Sequence, residues 1–247
     1  MKEEDDPMIQ PMEGHTVHRF DGELNNLHMM ILEMGGLVLD QVQQGITAVT
    51  DKNMAAARLV IDREPNVDAL EVKIDEENII VIAKRCPVGK DLRITTMVSK
   101  AVTDLERIGD EAARIANQAI QMYDNDSNDP GTHLLRDIKT MGKLSSQMLH
   151  DALEIFDTFD VERAQKLAAG NVELDEEFQS SLRRLATFVL EDARNVGHTI
   201  NITLIIKALE RVGEHARNLA EYVIYFVKGE DVRHQAATYP GNPDNKQ

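Results

Sequence analysis

The chain has 247 residues, of which 42% are hydrophobic and 4% aromatic, with no tryptophan. Its formal net charge of −16 excludes nucleic acid as a partner, because a phosphate backbone demands a basic surface, and opposes adsorption to an anionic membrane leaflet. The single cysteine, Cys86, cannot close an internal disulfide and fits a reducing compartment; with no histidine partner in view it reads as a buried or incidental thiol.

Residues 1–15 are polar and read as a flexible tail, lacking the basic start and apolar run of a secretory signal. From Phe20 to Val49, apolar residues recur at helical spacing: Leu24, Leu27, Ile31, Met34, Leu37, Val38, Val42, Ile46 and Val49. Asp51 is the expected N-cap of a second helix through Met54, Leu59, Val60, Ile61, Val67, Leu70, Ile74 and Ile79. Pro65 is expected to kink or break it, since the preceding Glu64 is pushed towards extended geometry. Pro87 and Gly89 end that segment, and Asp91 is placed to cap a third helix from Leu92 to about Met122.

Residues 123–133 carry turn chemistry, Asp-Asn-Asp-Ser-Asn-Asp-Pro-Gly, and read as a linker. The pattern then restarts with a helix from Leu134 to Phe156, with Ile138, Met141, Leu144, Met148 and Leu149 inward. Asp160 caps a helix expected to reach Glu191, and a last helix runs from Val196 to Val227. Met34-Gly35 matches Met141-Gly142, and the segment from Pro65 to Asp68 matches that from Gly170 to Glu173. The predicted architecture is therefore all-α: two tandem antiparallel three-helix bundles, 16–122 and 134–228, related by internal duplication, with a disordered tail over 229–247. No stretch approaches the roughly 20 apolar residues of a membrane span.

The third helix of each half carries one sentence written twice. Residues 105–116 begin Leu-Glu-Arg-Ile-Gly-Asp and residues 209–220 begin Leu-Glu-Arg-Val-Gly-Glu. Each copy places two carboxylates at i and i+4, Glu106 with Asp110 and Glu210 with Glu214, one above the other on a helix face. Such pairs can chelate a hard cation, and the antiparallel neighbour offers Asp68, Glu71 and Asp75 in the first half and Glu173, Asp175, Glu176 and Glu177 in the second.

A solvated helix face is the competing reading. In the first copy Asp110–Arg114 and Arg107–Glu111 have the spacing of i, i+4 ion pairs. In the second, Glu214 is followed at that spacing by Asn218, so the pair is missing there. Gly109 and Gly213 each cost about 1 kcal/mol relative to alanine in mid-helix, which calls for a close approach of a helix, ligand or ion.

Other candidates are weaker. Arg107, Arg211, Asp91 and Arg93 have the chemistry to meet a partner, but a cap and ordinary surface arginines serve equally well. His28, His150, His198 and His215 lack metal-ligand spacing and read as surface or packing residues. The sequence holds no phosphate-binding glycine loop, dinucleotide fingerprint, zinc-protease helix or nucleophile elbow. Neither acid pair is followed at the Glu-x-x-His spacing by the histidine a di-iron oxidase needs. An enzyme built on a metal-binding carboxylate bundle stays open as the alternative.

The duplication, the Asp91-Leu-Arg93 segment and the paired motifs closely resemble the PhoU family of phosphate-uptake regulators, over about residues 16 to 228. The resemblance implies surface metal clusters held through Glu106 and Asp110 and through Glu210 and Glu214, with iron, Mg, Mn or Zn as the cation. Glu214 departs from the family's usual aspartate by one methylene. The resemblance further implies a non-enzymatic negative regulator of the phosphate-starvation response. That regulator is a cytoplasmic homodimer recruited peripherally to the membrane, where it links the ATPase subunit of a phosphate ABC transporter to a membrane sensor histidine kinase.

Overall fold

The computed structural model describes residues 18–123, 132–170, 172–191 and 196–232. The expected N-terminal tail, nearly all of the 123–133 linker and most of the 229–247 tail lie outside the described residues. Within them the chain is helical: α1 His18–Thr50, α2 Met54–Arg85, α3 Lys90–Tyr123, α4 Thr132–Thr158, α5 Val161–Ala168, α6 Val172–Glu191 and α7 Val196–Lys228. The first three form one bundle; α4, α5 with α6, and α7 form the second.

The stripes read from the sequence of the two leading helices are inward. Leu24, Leu27, Ile31, Met34, Val38, Val42 and Val49 of α1 are buried, as are Ile138, Met141, Met148 and Leu149 of α4. The α2 stripe is narrower than its sequence indicates. Val60, Val67, Ile74 and Val81, spaced by seven, are buried with Ala56 and Ala57, and Met54, Ile61 and Leu70 pack against the core while partly exposed, whereas Leu59, Val72 and Ile79 stay exposed. This helix packs on one side only.

Pro65 does not break α2, which runs unbroken across it. The ring faces solvent, so the carbonyl it leaves without a helical donor can be hydrated, and only one hydrogen bond is lost. The break falls in the second half alone. There Gly170 adopts φ +94°, outside the helical region, and splits the expected 160–191 helix into α5 and α6.

Two N-termini also differ from expectation. Asn53, not Asp51, caps α2, accepting the Ala56 amide at 3.1 Å, and α3 starts at Lys90 with Asp91 inside its first turn. Asp160 caps α5 as expected, accepting the Arg163 amide at 3.0 Å. Lys52 and Phe159, the residues just before the two caps, both have positive φ. Cys86 is exposed and closes α2 in the left-handed conformation.

The halves join back to back along two antiparallel seams. In the first, α1 lies against α4: Leu153 fills the place a side chain at Gly35 would take, and Ile46 does the same at Gly142. This reciprocal exchange is what a duplicated helix pair makes across a pseudo-twofold axis. In the second seam, α3 lies against α7 and the contacts are polar. Asp104 accepts from Tyr222 Oη at 2.6 Å and from Asn218 at 3.3 Å, and sits 2.7 Å from His215 Nδ1. The buried Glu111 carboxylate lies 2.7 Å from the Arg211 guanidinium. Arg93 donates to the Phe226 carbonyl at 3.1 Å.

Candidate functional site

The paired motifs occupy the middle of α3 and α7, and each glycine has a packing reason. A methyl group at Gly109 would stand 3.2 Å from Val67 Cγ1 of α2 and 3.6 Å from the Gln41 amide oxygen of α1. At Gly213 it would meet Leu174 Cδ2 of α6 and stand 3.4 Å from Met148 of α4. The glycines therefore let the second helix of each bundle close onto the third.

This contact corrects the register between the halves. Val67 corresponds to Leu174, not to Val172, which is largely exposed. Counting on from these anchors, Asp68 matches Asp175, Glu71 matches Phe178 and Asp75 matches Leu182. The two acidic faces then differ in composition.

On the α2–α3 face the structure draws the five first-half carboxylates together. Burial raises the Glu106 carboxyl above its ordinary 4.5, and the charges of Asp110, Glu71 and Asp68 raise it further. Burial likewise raises Glu71, followed by the charges of Asp75 and Asp68, and burial raises Asp75. The cation beside them is Arg107, whose Nε lies 3.7 Å from Glu106 Oε2 with the side chain half in solvent. The expected Asp110–Arg114 pair gives way to a different one: Arg114 turns to Glu111 at 3.0 Å. The solvated-ion-pair account of this face loses its main contact.

On the α6–α7 face Glu210 is held by Lys207, at 2.5 Å. Glu214, Glu173, Asp175 and Glu176 are exposed. Glu177 is bound by Arg184, which also holds Asp137 at 2.9 Å. Of the remaining candidates, Arg211 and Arg93 are engaged in the seam between the bundles.

Among the described residues, no three acidic, histidine or cysteine side chains already form a ligating group. By donor chemistry the first face fits a hard cation: Glu106, Asp110, Asp68, Glu71 and Asp75 supply oxygen only, crowded enough to be raised in pKa. The second face is poorer in free donors: Asp175 keeps the place of Asp68, but the better buried carboxylate, Glu210, already has an ammonium partner and the place of Glu71 holds a phenyl ring.

The crowding has a measurable consequence. A carboxyl raised in the folded state contributes stability that is fully present below its unfolded pKa and is lost as pH rises through the folded value. His28 acts in the opposite sense: burial lowers its pKa, so its contribution is lost as pH falls. In chelator, Glu71→Gln with Glu106→Gln is therefore expected to be more stable than the parent near pH 7, with the gap closing as pH approaches about 4.5. His28 is common to both proteins and cancels. Thermal melts across pH check this; equal melting points at neutral pH contradict it.

The sequence missed the polar seam. Asp104 and Glu111 bracket the first motif as ordinary helix acids, and His215 sits inside the second motif. Their partners lie in the other half of the chain, at no local spacing. His28 is a packing residue, stacked on Phe156 at 5.6 Å between ring centroids and 3.3 Å from Asp157.

The PhoU domain model matches residues 31–119 and again 138–223. The chain belongs to the PhoU family. The phosphate-specific transport system accessory protein PhoU homolog of Pseudomonas aeruginosa is 38% identical over 224 residues, covering 91% of each chain. The PhoU accessory protein of Escherichia coli K12 is 34% identical, covering 89% of this chain and 90% of its own. The crystal structure of PhoU from Pseudomonas aeruginosa superposes with a TM-score of 0.81 at 37% identity, over 85% of this chain and all of that one. The phosphate transport system regulatory protein PhoU of Streptococcus pneumoniae superposes at 0.77 with 27% identity, over 86% and 99%. The two PhoU repeats coincide with the two bundles, and among the described residues no helix is long and apolar enough to cross a membrane.

Proposed function

We propose that this PhoU-family chain is a negative regulator of the phosphate-starvation response. It acts as a cytoplasmic adaptor, recruited to the membrane, between the ATPase subunit of a phosphate ABC transporter and a sensor histidine kinase. The observation that carries the reading is similarity over 89–91% of this chain to proteins named as accessory to phosphate-specific transport. The acidic surface suits partners with basic patches. A homodimer is the proposed assembly. Deleting the gene is expected to derepress phosphate-starvation genes in phosphate-rich medium, and restoring the full chain to return repression. Unchanged repression in the deletion strain overturns the reading.

The α2–α3 face is the proposed cation site, with Glu106 and Asp110 as principal ligands and Asp68, Glu71 and Asp75 from the neighbouring helix. All five donors are oxygen, which favours Mg²⁺, Mn²⁺ or iron over Zn²⁺, a metal that prefers nitrogen and sulfur. A bound cation would supply charge neutralisation and a tie between α2 and α3.

A further inference from the structure

The duplication gave the protein two acid pairs, but only one is left without a strong internal cation. The geometry points to Lys207 as a tethered counter-cation for the Glu210–Glu214 pair, so that the α6–α7 face takes no metal ion and metal binding is confined to α2–α3. The inference rests on the cation reading of the α2–α3 face proposed above.

Lys207 is held from two sides. Its Nζ lies 2.5 Å from Glu210 Oε2 and stands 5.4 Å from the centroid of the Phe178 ring. The Glu210 side chain is only 13% exposed, so the ammonium meets the less solvated carboxylate of the pair. An aromatic face attracts a cation but gives a metal no lone pair. Phe178 occupies the register of Glu71, so one substitution removes an oxygen donor and supplies a resting place for an ammonium.

In the first half the cation beside the pair is Arg107, farther off at 3.7 Å from Glu106, and no lysine stands at the place of Lys207. At the offset that matches Gly109 with Gly213, the counterpart of Lys207 is Thr103, exposed on α3, and its hydroxyl is bonded to the Ser99 carbonyl. Glu177, beside Phe178, is drawn away by Arg184. A metal approaching α6–α7 would have to displace Lys207 and would then find Glu210, Glu214 and Asp175, the counterpart of Asp68, against five carboxylates on α2–α3. With fewer carboxylates than α2–α3, a hard divalent ion there keeps more of its water and gains too little to displace the ammonium.

The consequence is a division of labour within one chain. The α2–α3 face changes charge with cation supply, while the α6–α7 face keeps a constant charge.

The test is Mn²⁺ binding to the full chain by equilibrium dialysis and Mn²⁺ electron paramagnetic resonance. Glu210→Gln with Glu214→Gln is expected to bind as much Mn²⁺ as the parent, and Glu106→Gln with Asp110→Asn to lose it. Lys207→Gln is expected to gain one Mn²⁺ per chain at millimolar metal; adding Glu210→Gln removes the gain, and Lys207→Arg shows none. Circular dichroism confirms that each variant is folded. A loss of Mn²⁺ in the Glu210/Glu214 variant, or no gain in Lys207→Gln, overturns the inference. A parent protein that binds no Mn²⁺ through Glu106 and Asp110 defeats the cation reading instead, and the Lys207→Gln arm still decides this one.

Discussion

Gly142→Leu is expected to lower stability by about 3 kcal/mol, or roughly 6–12 °C in melting temperature for a chain of this size. Ile46 of α1 presses on Gly142 with three side-chain carbons, between 2.9 and 3.1 Å from where a β-carbon would be. A whole branched side chain stands there, not a flexible tip, so it cannot swing aside without moving α1. The seam between α1 and α4 would open and part the bundles locally. Gly36 supplies the control, since nothing lies within 4 Å of its β-position and it faces solvent. Gly36→Ala is expected to gain about 1 kcal/mol from helix propensity alone. Thermal melts of the two variants should move in opposite directions; movement in the same direction contradicts this account of the seam.

The second large effect is expected at Asp104. Asp104→Ala leaves Tyr222, His215 and Asn218 without their shared acceptor at a buried crossing, and a cost of about 3 kcal/mol follows from stranding such a network. The Tyr222 hydroxyl makes the shortest of the three contacts. A double-mutant cycle of Asp104→Ala with Tyr222→Phe is expected to return a coupling above about 1 kcal/mol. Additive effects would mean that the Asp104–Tyr222 hydrogen bond contributes little.

Much of this was legible in the sequence, because helical stripes and an internal repeat are local patterns. The stripes on α1 and α4, the cap at Asp160 and the two acid pairs all follow from spacing. What was not legible depended on a shift in register. Gly35 matches Gly142 and Val67 matches Leu174 at one common offset, while Gly109 matches Gly213 at an offset three residues shorter. Aligning the second helices by their Pro65 and Gly170 interruptions missed that common offset. The same offset that relates the first helices pairs Asp160 with Asn53, the true cap of α2, and passes over Asp51.

Ion-pair choice was the other blind spot. Spacing alone assigned Arg114 to Asp110, but Glu111 is buried and already faces Arg211 from the opposite bundle. A buried carboxylate gathers cations more strongly than an exposed one, and burial is decided by tertiary packing. The pairing of Asp104 with His215 is beyond any local rule, because the two meet only when the halves close.

Each half shields the other's inner surface, so neither bundle is expected to be a free-standing unit, and the chain should melt as one cooperative body. The acidic faces lie on the outer flanks, away from that shared interior. Surface chemistry can thus be rewritten on one flank, as Lys207 and Phe178 do, while the scaffold beneath it stays the same.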